Sequence, residues 1–144
     1  MSVNNILYST RAILSFDGTY LCVKRSFDDS FRSGEWEFPG GKVDRVPQWD
    51  VEALREVNEE VLGDYTVEDL YLDAIIRDMA AGRKYTGRQI RYLIFFGRLV
   101  LNSSDAASNL KPSKEHESVK LLTMQELLSK KMTSTTRRII TDLM

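Results

Sequence analysis

The chain has 144 residues, 42% of them hydrophobic and 28% charged, which sets the expectation of one globular domain around one core. Its 20 basic and 21 acidic residues leave a net charge of -1, so no basic footprint for nucleic acid or a membrane surface is present. A single cysteine excludes an internal disulfide, and no apolar run is long enough to span a bilayer. Met1-Ser2-Val3-Asn4-Asn5 does not lead from a basic stretch into an apolar one, so the cytoplasm is the expected compartment.

In chain order, Ile6 to Phe16 is rich in strand formers, Asp17-Gly18 marks a turn, and Tyr20 to Lys24 resumes as a strand. Cys22 falls inside that second strand and reads as a small core hydrophobe. Ser26 to Gly34 is polar and reads as a loop. Glu35-Trp36-Glu37-Phe38 alternates like a short half-buried strand, which Pro39-Gly40-Gly41 stops. Asp50 to Leu62 has helical character, with Leu54, Val57 and Val61 as a core-facing stripe and Gly63-Asp64 as the expected C-cap. Leu70 to Asp78 and Ile90 to Leu101 read as two strands joined by a hairpin loop, Lys84 to Arg88. Asn102 to Ser113 reads as a polar, mobile loop. Ser118 to Leu122 reads as a last strand, Met124 to Leu128 as a short helix and Thr133 to Leu143 as a closing helix. Strands around a central helix with helices at the end predict a mixed α/β layer fold.

The central helix is acidic. With 100° per residue, Glu52, Glu56, Glu59 and Glu60 share an arc of roughly 100°. The apolar stripe lies on the other side, so the acids are expected to project away from the sheet. Like charges one turn apart repel. Charge alone reads as a solvated face. The other reading is a divalent cation that relieves the repulsion, since hard Mg²⁺ or Mn²⁺ takes carboxylate oxygens and suits phosphoryl chemistry. Pro39-Gly40-Gly41-Lys42-Val43-Asp44 favours the second reading, because a glycine-rich loop ahead of such a helix can approach a ligand closely.

These residues resemble the Nudix hydrolases. The box of that family runs Gly, five residues, Glu, seven residues, then Arg-Glu-apolar-any-Glu-Glu-any-Gly-apolar. Here Gly41 is followed by thirteen residues and then Arg55-Glu56-Val57-Asn58-Glu59-Glu60. Trp36-Glu37-Phe38-Pro39-Gly40-Gly41 resembles the usual entry to the box, and Tyr20 to Arg25 the preceding strand. Glu115-His116-Glu117, with Leu127 beyond, resembles the C-terminal segment. Two positions depart: Pro47 stands where the box has its first Glu, and Leu62 where it has Gly, with Gly63 one place late.

The resemblance implies a Nudix-type α/β/α sandwich with a mixed sheet, spanning 1–144. It implies hydrolysis of a diphosphate bond in a nucleoside diphosphate linked to another group, with nucleoside triphosphates as one substrate class, using Mg²⁺ or Mn²⁺. Glu56, Glu59 and Glu60 become metal ligands and catalytic carboxylates, and Arg55 holds them in place. Gly41 offers its carbonyl to the metal, and Glu115 or Glu117 is the candidate late-loop ligand. Arg25, Trp36 and Phe38 are candidate substrate contacts, with core packing as the other reading for the two aromatics. His116 is either a base or a packing and hydrogen-bonding residue. Because the first Glu of the box supports the helix arginine in the family, Glu52 is the expected substitute partner for Arg55. Arg77, Arg83, Lys84, Arg88 and Arg91 either meet phosphates or keep edge strands soluble. Met79 stands where ADP-ribose-type members carry a proline, so the resemblance leans to the MutT-like members. The expected partner is a small nucleotide-like molecule, with no nucleic acid and no membrane. Relatives often pair through their sheets, which makes a homodimer an expectation. Two rival readings stay open: a catalytically weak nucleotide-binding sensor, and an α/β domain with no metal.

Overall fold

A computed structural model describes residues 6–26, 33–43, 48–79 and 87–144. Pro47, Arg83 and Lys84, and most of the expected loop at 26–34, lie outside them. The first strands are β1 (Ile6–Phe16) and β2 (Thr19–Arg25). Both Asp17 and Gly18 have positive φ, at 47° and 77°, the conformation of a tight hairpin turn whose twist matches the strands. Then come β3 (Trp36–Glu37), α1 (Trp49–Glu60), β4 (Val61–Leu62) and β5 (Tyr65–Met79). The chain closes with β6 (Gln89–Leu101), β7 (Lys111–Pro112), β8 (His116–Leu122), α2 (Met124–Leu128) and α3 (Ser134–Leu143).

The main sheet runs β3-β2-β1-β6-β5, with β8 also pairing β2. It is mixed, because β1 and β6 are parallel while the other pairings are antiparallel. β1 meets β2 only beside the turn, at Ser15↔Tyr20 and Phe16↔Thr19. Beyond that the two strands part, and Thr10 N–H donates to the Gly41 carbonyl instead (2.8 Å). The sheet therefore splits between β1/β6/β5 and β3/β2/β8, and the glycine loop enters at the split.

Strand alternation sends side chains to two faces. Ile13, Cys22 and Ile94 pack with Leu127 of α2 and Ile139 of α3 on one face. Ala12, Leu14, Leu21 and Val23 pack with Val57 of α1 on the other. The result is the expected α/β/α arrangement. Cys22 is fully buried, and burial pushes its thiol up to about 12. Among the described residues no helix is long and apolar enough to cross a membrane.

Three local expectations change. The helix stops at Glu60, with Val61 as C-cap, because Val61 and Leu62 pair with Pro112 and Lys111. Gly63-Asp64 is therefore not its cap. The segment after β6 is not a featureless loop: Ala106 and Leu110 are buried and β7 sits inside it. β5 begins at Tyr65, five residues early, and carries irregular pairing around Asp69, whose φ is 56°.

Candidate active site

α1 reaches its position through Ala53 and Val57, both fully buried against the sheet. The next position on that side is Glu60, which is only 6% exposed. The acids therefore do not all project away from the sheet, as the helical wheel implied. Glu60 turns inward and accepts a hydrogen bond from the Gly40 N–H (3.1 Å). Burial pushes its carboxyl up to about 7, against the opposing pull of His116 and Arg11. Glu56 is half-buried and its pKa is also raised, first by burial.

The two glycines make this approach possible. A Cβ on Gly40 would strike the Thr10 carbonyl, and a Cβ on Gly41 would strike the Glu56 carboxylate. The Gly41 carbonyl accepts from the Thr10 N–H at 2.8 Å and, at the longer distance of 3.4 Å, from the Thr10 hydroxyl.

Arg55 binds the acids on the outer side of the helix. Its Nε and Nη2 donate to one Glu52 oxygen (2.8 and 2.6 Å), Nη1 donates to Glu59 (2.6 Å), and Nη2 also reaches Glu56 (3.1 Å). The Glu52 and Glu59 hydrogen bonds hold this guanidinium charged beyond its ordinary range.

Glu56, Glu59, Glu60 and Gly41 line one cleft of about 660 Å³, a size suited to a small-molecule ligand. Glu115 lines it as well, whereas Glu117 pairs with Lys24 (2.7 Å) and does not. The opposite wall is cationic and polar. Arg25 and His116 line it and meet at the buried carboxylate of Glu37, at 3.0 and 3.4 Å. Burial alone would raise Glu37, but Arg11, the His116 hydrogen bond and Arg25 outweigh it and hold the group at about 2. His116 thus has the hydrogen-bonding role weighed for it. Leu7, Ile90 and Tyr92, from the parallel pair β1 and β6, form an apolar side.

Trp36 and Phe38 are not brought to the cleft. Both are core residues, 6% and 0% exposed, and pack with Leu127 and Ile139. Arg77, Arg88 and Arg91 are not among its lining residues either. Sequence reasoning missed Arg11, Glu37 and Tyr92. Arg11 carried a signal, since it is the only charged residue in Ile6–Phe16.

The donor set fits a divalent cation. Three carboxylates offer hard oxygens, and the space a Cβ at Gly41 would fill lies beside one of them. In the present arrangement Arg55 balances Glu56 and Glu59, and among the described residues no three acidic, histidine or cysteine side chains converge to hold a metal ion.

A family model described as the NUDIX domain matches residues 8–143. No curated protein matches the chain. Among solved structures, a MutT NUDIX hydrolase from Burkholderia pseudomallei superposes with a TM-score of 0.75 at 20% identity, covering 96% of this chain and 98% of that one. A MutT protein from Methanosarcina mazei Go1 gives 0.66 at 21%, covering 92% and 88%. An ADP-ribose pyrophosphatase from Streptococcus suis gives 0.61 at 18%, covering 90% and 81%. These likenesses establish the fold, and with the match across almost the whole length the chain belongs to the Nudix hydrolase family.

Proposed function

We propose that this protein is a metal-dependent pyrophosphohydrolase that cleaves the diphosphate bond of a nucleoside diphosphate linked to another group, nucleoside triphosphates included. The observation that carries this reading is one cleft with carboxylates on the α1 side and guanidinium groups on the other. Phosphoryl transfer needs both: oxygen ligands for a cation, and donors for phosphate oxygens. Neighbours described as MutT and as ADP-ribose pyrophosphatase support the substrate class.

Nudix enzymes generally use divalent metal ions. Here Glu56, Glu59, Glu60 and the Gly41 carbonyl would hold Mg²⁺ or Mn²⁺, with Glu115 as the late-loop ligand. When bound, the cation supplies charge neutralisation and a more acidic water. In the reaction a water oxygen bonds to one phosphorus, the bridging P–O bond breaks, and the other phosphate leaves. Glu60, turned into the cleft beside the Gly40 N–H, is the carboxylate to which this reading gives the water's proton. Arg55 keeps the α1 carboxylates oriented. Arg25, fixed by Glu37, holds a phosphate oxygen.

The test is a hydrolysis screen with Mg²⁺ and Mn²⁺ against nucleoside triphosphates, ADP-ribose and dinucleoside polyphosphates. Glu59→Gln and Glu60→Gln are expected to lose at least about a hundredfold in rate. Metal and nucleotide binding without turnover of any substrate would sink the enzyme reading in favour of a nucleotide-binding sensor.

We also propose a homodimer formed through β5, an edge strand that exposes Tyr71, Leu72, Ile75 and Met79. Sedimentation as a monomer at micromolar concentration removes that proposal.

A further inference from the structure

Arg11 is a buried cation on the floor of the cleft. Leu7, Ser9 and Arg11 line the cleft from alternate positions of β1, and the next residue on that face, Ile13, is 1% exposed and belongs to the core. The Arg11 side chain is itself 9% exposed. A guanidinium carries five N–H donors. Among the described residues one of them is used in a hydrogen bond, from Nη1 to the Thr10 carbonyl (3.1 Å). Nη2 stands 3.6 Å from Glu37 Oε1, an ion pair beyond hydrogen-bond reach. Nε has no hydrogen-bond partner, and neither does Glu37 Oε1. The Tyr92 ring lies under the guanidinium, with its centroid 5.8 Å away.

Burying a cation with open donors is unfavourable unless something completes them. The charges around Arg11 say what that is. Glu37 is held ionised and faces two guanidinium groups, Arg11 and Arg25. Glu37 pairs more closely with Arg25, at 3.0 Å, than with Arg11, at 3.6 Å, which leaves Arg11 the more weakly paired of the two. A neutral carbonyl would satisfy a donor but not the charge. A phosphate oxygen does both, and guanidinium binds it with two parallel hydrogen bonds.

We propose that Arg11 is a second phosphate-binding residue, which receives a non-bridging oxygen of the substrate's diphosphate, with Glu37 as its positioning residue. This rests on the reading that the substrate carries a diphosphate. Ion pairing to Glu37 and the contact with the Tyr92 ring hold the guanidinium in the lining of the cleft.

The test is calorimetric titration of inorganic pyrophosphate, with Mg²⁺ present, into the wild type, Arg11→Lys and the double variant Arg11→Met/Glu37→Gln. The double variant removes both members of that ion pair, and because Glu37 also pairs with Arg25, Glu37→Gln alone is titrated as its control. Thermal melts establish that each is folded, and Arg11→Lys keeps the charge should the double variant fail to fold. Arg11→Lys is expected to bind pyrophosphate several-fold more weakly and the double variant at least about tenfold, with Mn²⁺ affinity in the absence of pyrophosphate within about twofold of wild type. Pyrophosphate affinity within about twofold of wild type in either folded variant overturns the proposal. So does a wild type that binds no pyrophosphate, or a loss seen with a nucleoside triphosphate but not with pyrophosphate, which would make Arg11 a contact to the nucleoside. The hydrolase reading fails separately, by absence of turnover. Arg11-dependent pyrophosphate binding would survive that failure, and unchanged kcat/KM in Arg11→Lys would sink the subsite while leaving the hydrolase standing.

Discussion

At the scale of single residues, Arg55 is shared among three carboxylates, and the sharing has a consequence for metal binding. The two hydrogen bonds to Glu52 anchor the guanidinium one turn back along α1. The bonds to Glu59 and Glu56 compete with any cation that those carboxylates would hold. With Glu52 present, Arg55 has a partner to keep when Glu56 and Glu59 turn to a metal. In Glu52→Gln that partner is weakened and Arg55 commits to the ligands. We expect Mn²⁺ affinity to fall about three- to tenfold by calorimetry, with the melting temperature nearly unchanged because the pair is solvent-exposed. Restoring a carboxylate at the position of Pro47, in Glu52→Gln/Pro47→Glu, is expected to recover part of the loss. Unchanged metal affinity in Glu52→Gln would mean that the contact is only a surface ion pair. Glu52 was the expected partner from the departure at Pro47, and the geometry provides the contact.

At the scale of elements, the glycine loop and α1 act as one unit, and two adjacent glycines predict different failures. In Gly41→Ala the new methyl meets the end of a flexible carboxylate, which can swing aside. The fold should persist while Glu56 is displaced, so metal affinity falls several-fold and the melting temperature moves little. In Gly40→Ala the methyl meets the β1 backbone at Thr10, which cannot swing. That strain should cost about 1–3 kcal/mol of stability, as in other overpacked interiors. Thermal melts and Mn²⁺ titrations of the two variants separate the effects. If Gly41→Ala melts far below Gly40→Ala, the loop is placed differently. The loop, helix and hairpin elements were legible because each has a local signature: Asp17-Gly18, the paired glycines, and the fixed spacing to Arg55-Glu56. What was not legible depended on pairing at long range. Val61-Leu62 looked like helix because Leu54, Val57 and Val61 keep its period, and only their pairing with Lys111-Pro112 turns them into a strand. Glu60 looked solvated for the same reason, since the wheel does not show that the loop folds over it.

At the scale of the whole molecule, the cationic wall joins strands from both halves of the split sheet, and sequence alternation could not reveal this. Glu37 stands between two core aromatics, so period-two reading sends it to solvent, yet it is 2% exposed. Its partners come from three other strands: Arg11 on β1, Arg25 on β2 and His116 on β8. The cluster therefore ties the two half-sheets together where β1 and β2 have parted. The carboxyl has an ordinary value of 4.5 and is held at about 2 in the folded state. Because the folded value is the lower one, the stabilisation is fully present above about pH 4.5. It is lost as the pH falls toward 2, when the folded state must also take up the proton. The shift corresponds to on the order of 3 kcal/mol. Wild type is therefore expected to lose melting temperature steeply between pH 4.5 and 2. Glu37→Gln should be destabilised by about 3–5 kcal/mol near neutral pH, because Arg11 and Arg25 lose their counter-charge, and should show a flatter dependence across the same acid window. Melting curves of the two proteins from pH 2 to 7 measure both effects. Parallel curves would mean that Glu37 is not the group that ties the half-sheets together, and the acid sensitivity would then belong to other carboxylates.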